Sequence, residues 1–360
     1  MKNILVTGGA GFIGSNFARY ILEKEPQARL INLDALTYAG NRNNLLDMQG
    51  RDGYIFIQGD ICDRELTDHL LEIYSIDTII NFAAETHVDR SIIDPVPFIE
   101  TNIRGTVNLL ESAKKAWLHK RLVPVETARF HHISTDEVYG SLGPQSRPFT
   151  ENSPYSPNSP YAASKAASDH FARAYFNTYK IPVTITNCSN NYGPFQHPEK
   201  LIPLIISNAL AGKELPIYGD GKQIRDWLYV TDHCEAILLT LKYGVAGETY
   251  NIGGNNQITN LELVSTICDM LDEYIPGSKL VPHRKLIRFT ADRPGHDRRY
   301  GVDTTKIHDK FGWKPNHSLN DGLRKTITWY IENRDWVHHQ KTETPFNWDD
   351  GEFFRRPGPG

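Results

Sequence analysis

The sequence predicts a doubly wound α/β fold, a parallel sheet covered by helices on both faces, with a smaller C-terminal α/β domain after it. Three observations carry this. Short apolar runs flanked by turn residues alternate with amphipathic stretches through the first half, as buried parallel strands and their crossover helices do. A glycine-rich turn, VTGGAGFIG (6–14), joins the first strand to the first helix. From about residue 191 prolines cluster and strands shorten, which marks a second part built onto the C-terminal edge of the sheet.

Taken in order, NILVT (3–7) is the first strand and a helical pattern over 12–24 follows it. ARLINLD (28–34), YIFIQGD (54–60) and IDTIINFAA (76–84) are the next strands. A long helical stretch spans about 96–118, and ARFHHIST (128–135), which takes in His131 and His132, supplies another strand. A loop rich in Pro and Ser (141–160) gives way to the helix YAASKAASDHFARAYFNTYK (161–180), and PVTITNCSN (182–190) continues the sheet. Further helices are expected at 200–211, 231–242, 259–273 and 320–333. The chain therefore divides into 1–190, 191–336 with some chain exchange between the two, and a C-terminal extension, 337–360, whose tail 341–360 has no clear periodicity.

With 360 residues, the chain is long enough for a substantial core. Its net charge of -4 offers no basic field for nucleic acid or for an anionic membrane. The four cysteines form no CxxC pair, which favours reduced thiols in the cytoplasm over disulfides or zinc. MKNILVTGG enters a strand rather than a charged-then-apolar leader, and no apolar run approaches the length of a membrane span. The 14 histidines show no metal-ligand spacing and there is no HExxH, so no metal is expected.

Gly8, Gly11 and Gly14 follow a strand and open a helix with the spacing GxxGxxG. One glycine makes the tight turn, one admits a pyrophosphate to the backbone, and one lets helix and strand pack closely. Free N–H groups at the helix start then face the phosphates. Asp34 ends the second strand, where a carboxylate accepts hydrogen bonds from a ribose and repels a 2′-phosphate. Together these predict a Rossmann-type site for NAD. Asp60, at the end of the third strand, either faces the adenine or serves its own turn.

YAASK places Tyr161 and Lys165 four residues apart on one helix face. A lysine beside a phenol stabilises the phenolate, which can take a proton from a substrate hydroxyl while nicotinamide accepts hydride from the same carbon. With the glycine loop and Asp34, this pair resembles the extended short-chain dehydrogenase/reductases that act on sugar nucleotides. In that family a Ser or Thr near the fifth strand completes the set, and Thr135 stands in that place.

The stretch ISTDEVYG (133–140) then sets two acids, Asp136 and Glu137, beyond a strand. Oxidation at C4 of a sugar acidifies the C5 proton; one carboxylate can take it while a carboxylic acid protonates the departing C6 hydroxyl. Capping of the following turn is the plainer role for such acids. The Thr-Asp-Glu run resembles the nucleotide-sugar 4,6-dehydratases rather than the C4 epimerases, which lack the acid pair. That resemblance covers about residues 2–336, through AAETHVDRSI (83–92), TNIRGT (101–106), SPYAASKAASDH (159–170), NCSNNYGP (187–194), PEKLIPL (198–204), IRDWLYV (224–230) and ADRPGHDRRY (291–300).

What the resemblance implies is specific. Asp136 would be the acid at C6 and Glu137 the base at C5. Phe12, Ile13, Ala35, Leu36, Thr37, Ile61 and Phe82 would line the NAD site with the glycines. So would Ala83, Ala84, Glu85, Thr101 and Asn191. Thr86, Asn190, Lys200, Leu201, Pro216, Ile217, Tyr218, Arg225 and Asn260 would hold the sugar nucleotide, dTDP-glucose, together with Thr135. The run Asp292, Arg293, Pro294, Gly295 and His296 would join them. Guanidinium forks at Arg225 and Arg293 suit a diphosphate, and Tyr218 suits a base; a surface charge and a core tyrosine are the alternatives. The resemblance further implies a step toward deoxysugars of the rhamnose type and a homodimer through a four-helix contact of the helices near 96–118 and 160–179. A dehydratase of UDP-, CDP- or GDP-sugars and a non-catalytic NAD-binding protein are the competing readings.

Overall fold

The computed structural model describes residues 1–292 and 295–343. Arg293, Pro294 and the chain beyond residue 343 lie outside the described residues, and with them two predicted substrate contacts and most of the predicted extension.

Seven strands form the main sheet: β1 (Asn3–Thr7), β2 (Arg29–Asp34), β3 (Tyr54–Gln58), β4 (Thr78–Asn81), β5 (Arg129–Thr135), β6 (Val183–Cys188) and, from much later in the chain, β10 (Thr249–Ile252). Their order is β10-β6-β5-β4-β1-β2-β3, and every pairing is parallel. The connection order reverses beside β1, so the carboxyl ends of β1 and β4 leave a crevice, the usual ligand position in such sheets.

Period-2 alternation sorts the strand residues between two cores. Ile4 and Val6 pack with Phe17 and Ile21 of α1 (Phe12–Lys24) and with Val230 and Ile237 of α8 (Val230–Tyr243). Leu5 and Ile79 face the other way, against Leu109 of α5 (Thr106–Lys114), Leu70 of α2 (Arg64–Ile73) and Ala172 of α6 (Pro160–Tyr179). The expected long helix is continuous but uneven. It starts as α4 (Val96–Phe98) after the short α3 (Val88–Ile93), runs through a π-helical turn (Ile99–Gly105) into α5, and ends in a second one (Lys115–His119). His131 and His132 belong to β5 and are fully buried, which keeps both imidazoles neutral.

The strand expected at 182–190 divides at Ser189. Its first part is β6; its second is β7 (Asn190–Tyr192), which leaves for a small sheet beside β9 (Ile224–Tyr229) and β11 (Gln257–Thr259). β8 (Leu215–Tyr218) pairs with β12 (Ile287–Thr290). Behind them α7 (Leu201–Ala211), α9 (Asn260–Tyr274) and α11 (Leu319–Glu332) share a third core around Ile205, Leu263 and Leu323. The short α10 (Thr305–Phe311) packs by β10, and α12 (Arg334–Glu343) follows α11. β10 covers the apolar edge that β6 would otherwise expose. Among the described residues no helix is long and apolar enough to cross a membrane.

Candidate active site

A cavity of about 310 Å³ opens at the carboxyl ends of the central strands. One end is built on the glycine loop. Gly8 has φ +70°, and a Cβ there would come within 2.6 Å of the Ala83 backbone nitrogen. At Gly14 a Cβ would sit 2.3 Å from the Gly8 carbonyl oxygen. Helix α1 starts without a side-chain cap and without an acid in its first turn, so its N–H groups are left for an anion. Asp34 accepts from the backbone N–H groups of Ala10 and Leu36, both at 2.8 Å. Burial raises its carboxyl while these two bonds pull the other way. A cradle that a Cβ would fill, unpaid N–H groups and a fixed carboxylate fit the pyrophosphate and ribose of NAD.

Phe12, Ile13, Ala35, Thr37, Asp60, Ile61, Phe82, Ala83, Ala84, Glu85, Thr101 and Asn191 line the same cavity with Gly8, Gly11, Gly14 and Asp34. Leu36 does not; it takes φ +55° and contributes its N–H to Asp34. Strand β3 stops at Gln58, so Asp60 lies in the following turn, where it accepts from the Cys62 N–H at 2.8 Å.

The reactive groups meet at the middle of the cavity. Thr135 ends β5 and caps the 3-10 turn Asp136–Tyr139, its hydroxyl accepting from the Glu137 N–H at 3.3 Å. The predicted capping role therefore belongs to Thr135, and both acids line the cavity. Asp136 is 2% exposed, and its Oδ2 has no hydrogen-bond partner among the described residues. Burial first, then the charges of Glu137 and Asp226, hold its carboxyl well above the ordinary range.

Ser159 caps α6, Pro160 occupies its first turn, and Tyr161 and Lys165 follow on the buried face. The Thr135 hydroxyl stands close enough to Tyr161 to favour its phenolate. The phenol is pushed well above the ordinary value, by burial and then by Glu137, instead of being lowered by Lys165 as the spacing predicts. The Lys165 ammonium donates at 2.7 Å to the Ile133 carbonyl. Burial brings it down to about 8, against the pull of Asp169 one turn further along.

Thr86, Asn190 and Lys200 also line the cavity. Sequence reasoning missed their neighbours Ser189, Gln196, His197 and Glu199. The Glu199 carboxylate is buried and lies 3.6 Å from His87, 3.7 Å from His197 and 3.6 Å from Lys200. Burial pushes it up, but Lys200 first, then His87, His197 and Arg90, draw it below the ordinary value. The one sequence signal was an acid beside Lys200 within PEKLIPL.

The remaining predicted substrate contacts lie off this cavity. Leu201 starts α7. Pro216, Ile217 and Tyr218 lie on β8, and His296 stands edge-on to Tyr218 at 6.3 Å. Asp292 accepts from Gln223 and pairs with His296, while the Asn260 N–H donates to the Gln223 carbonyl. Gly295 is exposed. Arg225 is buried, donates to the Ile224 and Asp297 carbonyls, and lies 4.3 Å from the Tyr300 ring centre. It still reaches the acids, because its charge opposes the rise at Asp136. Among the described residues no group of three or more His, Cys, Asp or Glu could hold a metal.

Comparison with known proteins agrees with this geometry. A family model described as GDP-mannose 4,6 dehydratase matches residues 5–326. A dTDP-glucose 4,6-dehydratase of Xanthomonas campestris pv. campestris is 53% identical over 338 residues, 94% of this chain and 95% of that protein. A dTDP-glucose 4,6-dehydratase from Streptomyces venezuelae, solved with NAD bound, superposes with a TM-score of 0.85 at 48% identity, covering 94% of this chain and 100% of that one. A UDP-glucose 4-epimerase from Thermus thermophilus, solved with NAD, reaches 0.79 at 27% identity over 92% of this chain and 99% of that one.

Proposed function

This chain belongs to the family described as GDP-mannose 4,6 dehydratase, and from that membership we propose how its own residues divide the work. The reaction is that of an NAD-dependent hydro-lyase: dTDP-glucose becomes dTDP-4-keto-6-deoxyglucose and water. The observation that carries the residue assignment is the acid pair, Asp136 and Glu137, lining one cavity with Tyr161 and Lys165.

NAD, when held by Gly8, Gly11, Gly14 and Asp34, supplies the acceptor and later the donor of hydride. Tyr161 takes the proton of the C4 hydroxyl as its phenolate, a form that burial and Glu137 oppose and that Thr135 and the positive charge of Lys165 behind it would favour. Glu137 takes the C5 proton that the C4 ketone has acidified. Asp136, kept protonated by burial and by Glu137 beside it, gives its proton to the C6 hydroxyl, which leaves as water. Glu137 then returns its proton to C5. Two adjacent carboxyls suit this because mutual repulsion in a buried site keeps them in different protonation states.

The test is direct. Purified protein incubated with dTDP-glucose should yield the alkali-induced absorbance of a 4-keto-6-deoxy sugar nucleotide. Protein that carries NAD and gives no such product overturns the dehydration.

The pH profile follows from Lys165. Its ammonium is cationic below about 8, so turnover should fall as pH rises through that value. Asp169→Asn removes the carboxylate that pulls the value up and should move that limb to lower pH. Stability behaves oppositely. The folded value lies below the ordinary lysine value, so between the two the unfolded chain binds more protons, and this group's contribution rises with pH. Rate profiles and urea titrations on both sides of pH 8 separate the two effects.

Finer features extend the same reading. Residues 1–190 would hold NAD and 191–336 the sugar nucleotide, with the segment that carries α8 and β10 returned to the first part. The site off the cavity around Tyr218, Asp292 and His296 supports a nucleotide position there. Four free cysteines support a cytoplasmic setting, and the product suits deoxysugar synthesis of the rhamnose type. Exposure of Ile93 on α3, Val96 on α4, Ile99 at the start of the π-helical turn and Phe171 on α6 supports a homodimer through four helices. The double variant Ile93→Glu, Phe171→Glu should sediment as a monomer where the parent sediments as a dimer; an unchanged dimer would place the contact elsewhere.

A further inference from the structure

We propose that Trp336 of α12 is a positioning residue for the cofactor: through Asn44 it clasps the loop that covers the adenosine end of the cleft, and so slows the release of NAD. The inference rests on the NAD site described above and goes beyond it by giving α12 a task.

The chain of contacts is short and specific. The Trp336 indole N–H donates to the Asn44 side-chain oxygen at 2.8 Å. Asn44 is 2% exposed, and its amide N–H donates at 2.7 Å to the Ala10 carbonyl in the glycine loop. The same carbonyl accepts from the Asn41 backbone, while the Ala10 N–H is bound to Asp34. One asparagine thus links the C-terminal helix to the pyrophosphate loop. If its partner is lost, a buried amide oxygen is left without a donor, which a protein tolerates poorly.

The loop so held is part of the cleft. Ala39 and Gly40 line the cavity, and a Cβ on Gly40 would sit 2.5 Å from Asp34 Oδ1. The segment thus abuts Asp34, and a ribose held by that carboxylate would meet it.

An aromatic cluster backs the clasp independently. Trp336 lies 5.0 Å from Trp329 and 6.0 Å from Phe195, ring centre to ring centre. The Arg19 guanidinium covers the other face of this cluster, 4.2 Å from the Phe195 ring centre, and also donates to the Asn44 carbonyl and to Asp47. Phe195 takes φ +67°, a left-handed conformation uncommon for such a side chain and kept only where packing over-determines it. The next residue, Gln196, lines the cavity, and its carbonyl accepts from the Tyr330 hydroxyl. Arg19, Asn44, Phe195 and Trp336 thus join α1, the loop after β2, the loop after β7 and α12 around one side of the site.

The test is a chase of holoenzyme carrying radiolabelled NAD into excess unlabelled NAD. Trp336→Phe keeps an aromatic ring, smaller than the indole, and loses the N–H; its exchange rate should rise roughly five- to tenfold, the weight of one partly buried hydrogen bond. Asn44→Ala should accelerate exchange at least as much, and adding Trp336→Phe to it should change the rate less than about twofold, because the linkage is already cut. Leu323→Ala, in the core of α11, serves as a control for general loosening; matched for lost melting temperature, it should exchange more slowly than Trp336→Phe. The proposal is overturned if Trp336→Phe exchanges like the parent, if the two variants multiply independently, or if Leu323→Ala accelerates exchange equally. Parent protein that binds no NAD would instead sink the cofactor site itself.

Discussion

Glu137→Gln is expected to lose turnover of dTDP-glucose by roughly 10²–10⁴-fold, the usual contribution of a positioned general base, while still oxidising the sugar at C4. Gln keeps the shape of the side chain and cannot take the C5 proton. The chemistry should therefore stop after the first proton and hydride leave C4, and the protein should gain the near-ultraviolet absorbance of reduced NAD. The Glu137 charge also stands next after burial among the causes that raise the Tyr161 phenol, so its removal should ease the first step. Asp136→Asn is the partner experiment. It loses the proton destined for the C6 hydroxyl but keeps the C5 base, so exchange of the C5 hydrogen with deuterated solvent should persist there and vanish in Glu137→Gln. The reverse pattern would exchange the two roles.

Tyr161→Phe should be as inactive in turnover, by roughly 10²–10⁴-fold, but blocked earlier. With no phenol, the C4 hydroxyl keeps its proton, no ketone forms and C5 is never acidified. Neither product nor reduced NAD should appear, whereas Glu137→Gln should show the second without the first. The neighbouring Thr135 hydroxyl is already engaged, accepting from the Glu137 N–H and donating to Asp136. The fold should be undisturbed, since the ring also packs edge-on to Phe98 at 6.4 Å and Phe retains that contact. Reduced NAD accumulating in Tyr161→Phe would move the C4 base to another residue.

Much of this site was legible because its parts are local. Gly8, Gly11, Gly14 and Asp34 are tied to one strand–helix–strand unit whose spacing any dinucleotide site must obey. Tyr161 and Lys165 are neighbours on one helix, and its extent, Pro160–Tyr179, follows from the Ser159 cap and the alternation of buried small residues. Asp136 and Glu137 could be singled out because acids after an apolar strand need a reason. Glu199 and His197 could not, since their meaning depends on His87, more than a hundred residues earlier in the chain. Nor could the substrate contacts expected around Tyr218 and Asp292 be placed relative to the cavity, because that depends on how β8 and α9 pack.

The sequence by itself determined the fold class, the dinucleotide loop, and which titratable groups the chemistry has at its disposal, because hydrophobic period and backbone freedom act over a few residues. Tertiary structure decided their states. It split the strand at Ser189 to carry the chain across the cleft, and it brought β10 back to close the sheet. It buried Asp136 within reach of the charges of Glu137 and Asp226, which together hold its carboxyl well above the ordinary range. It also raised the Tyr161 phenol where the Tyr-Lys spacing alone predicted a lowering. Desolvation and the field of distant charges set a protonation state, and both exist only once the chain has folded around the group.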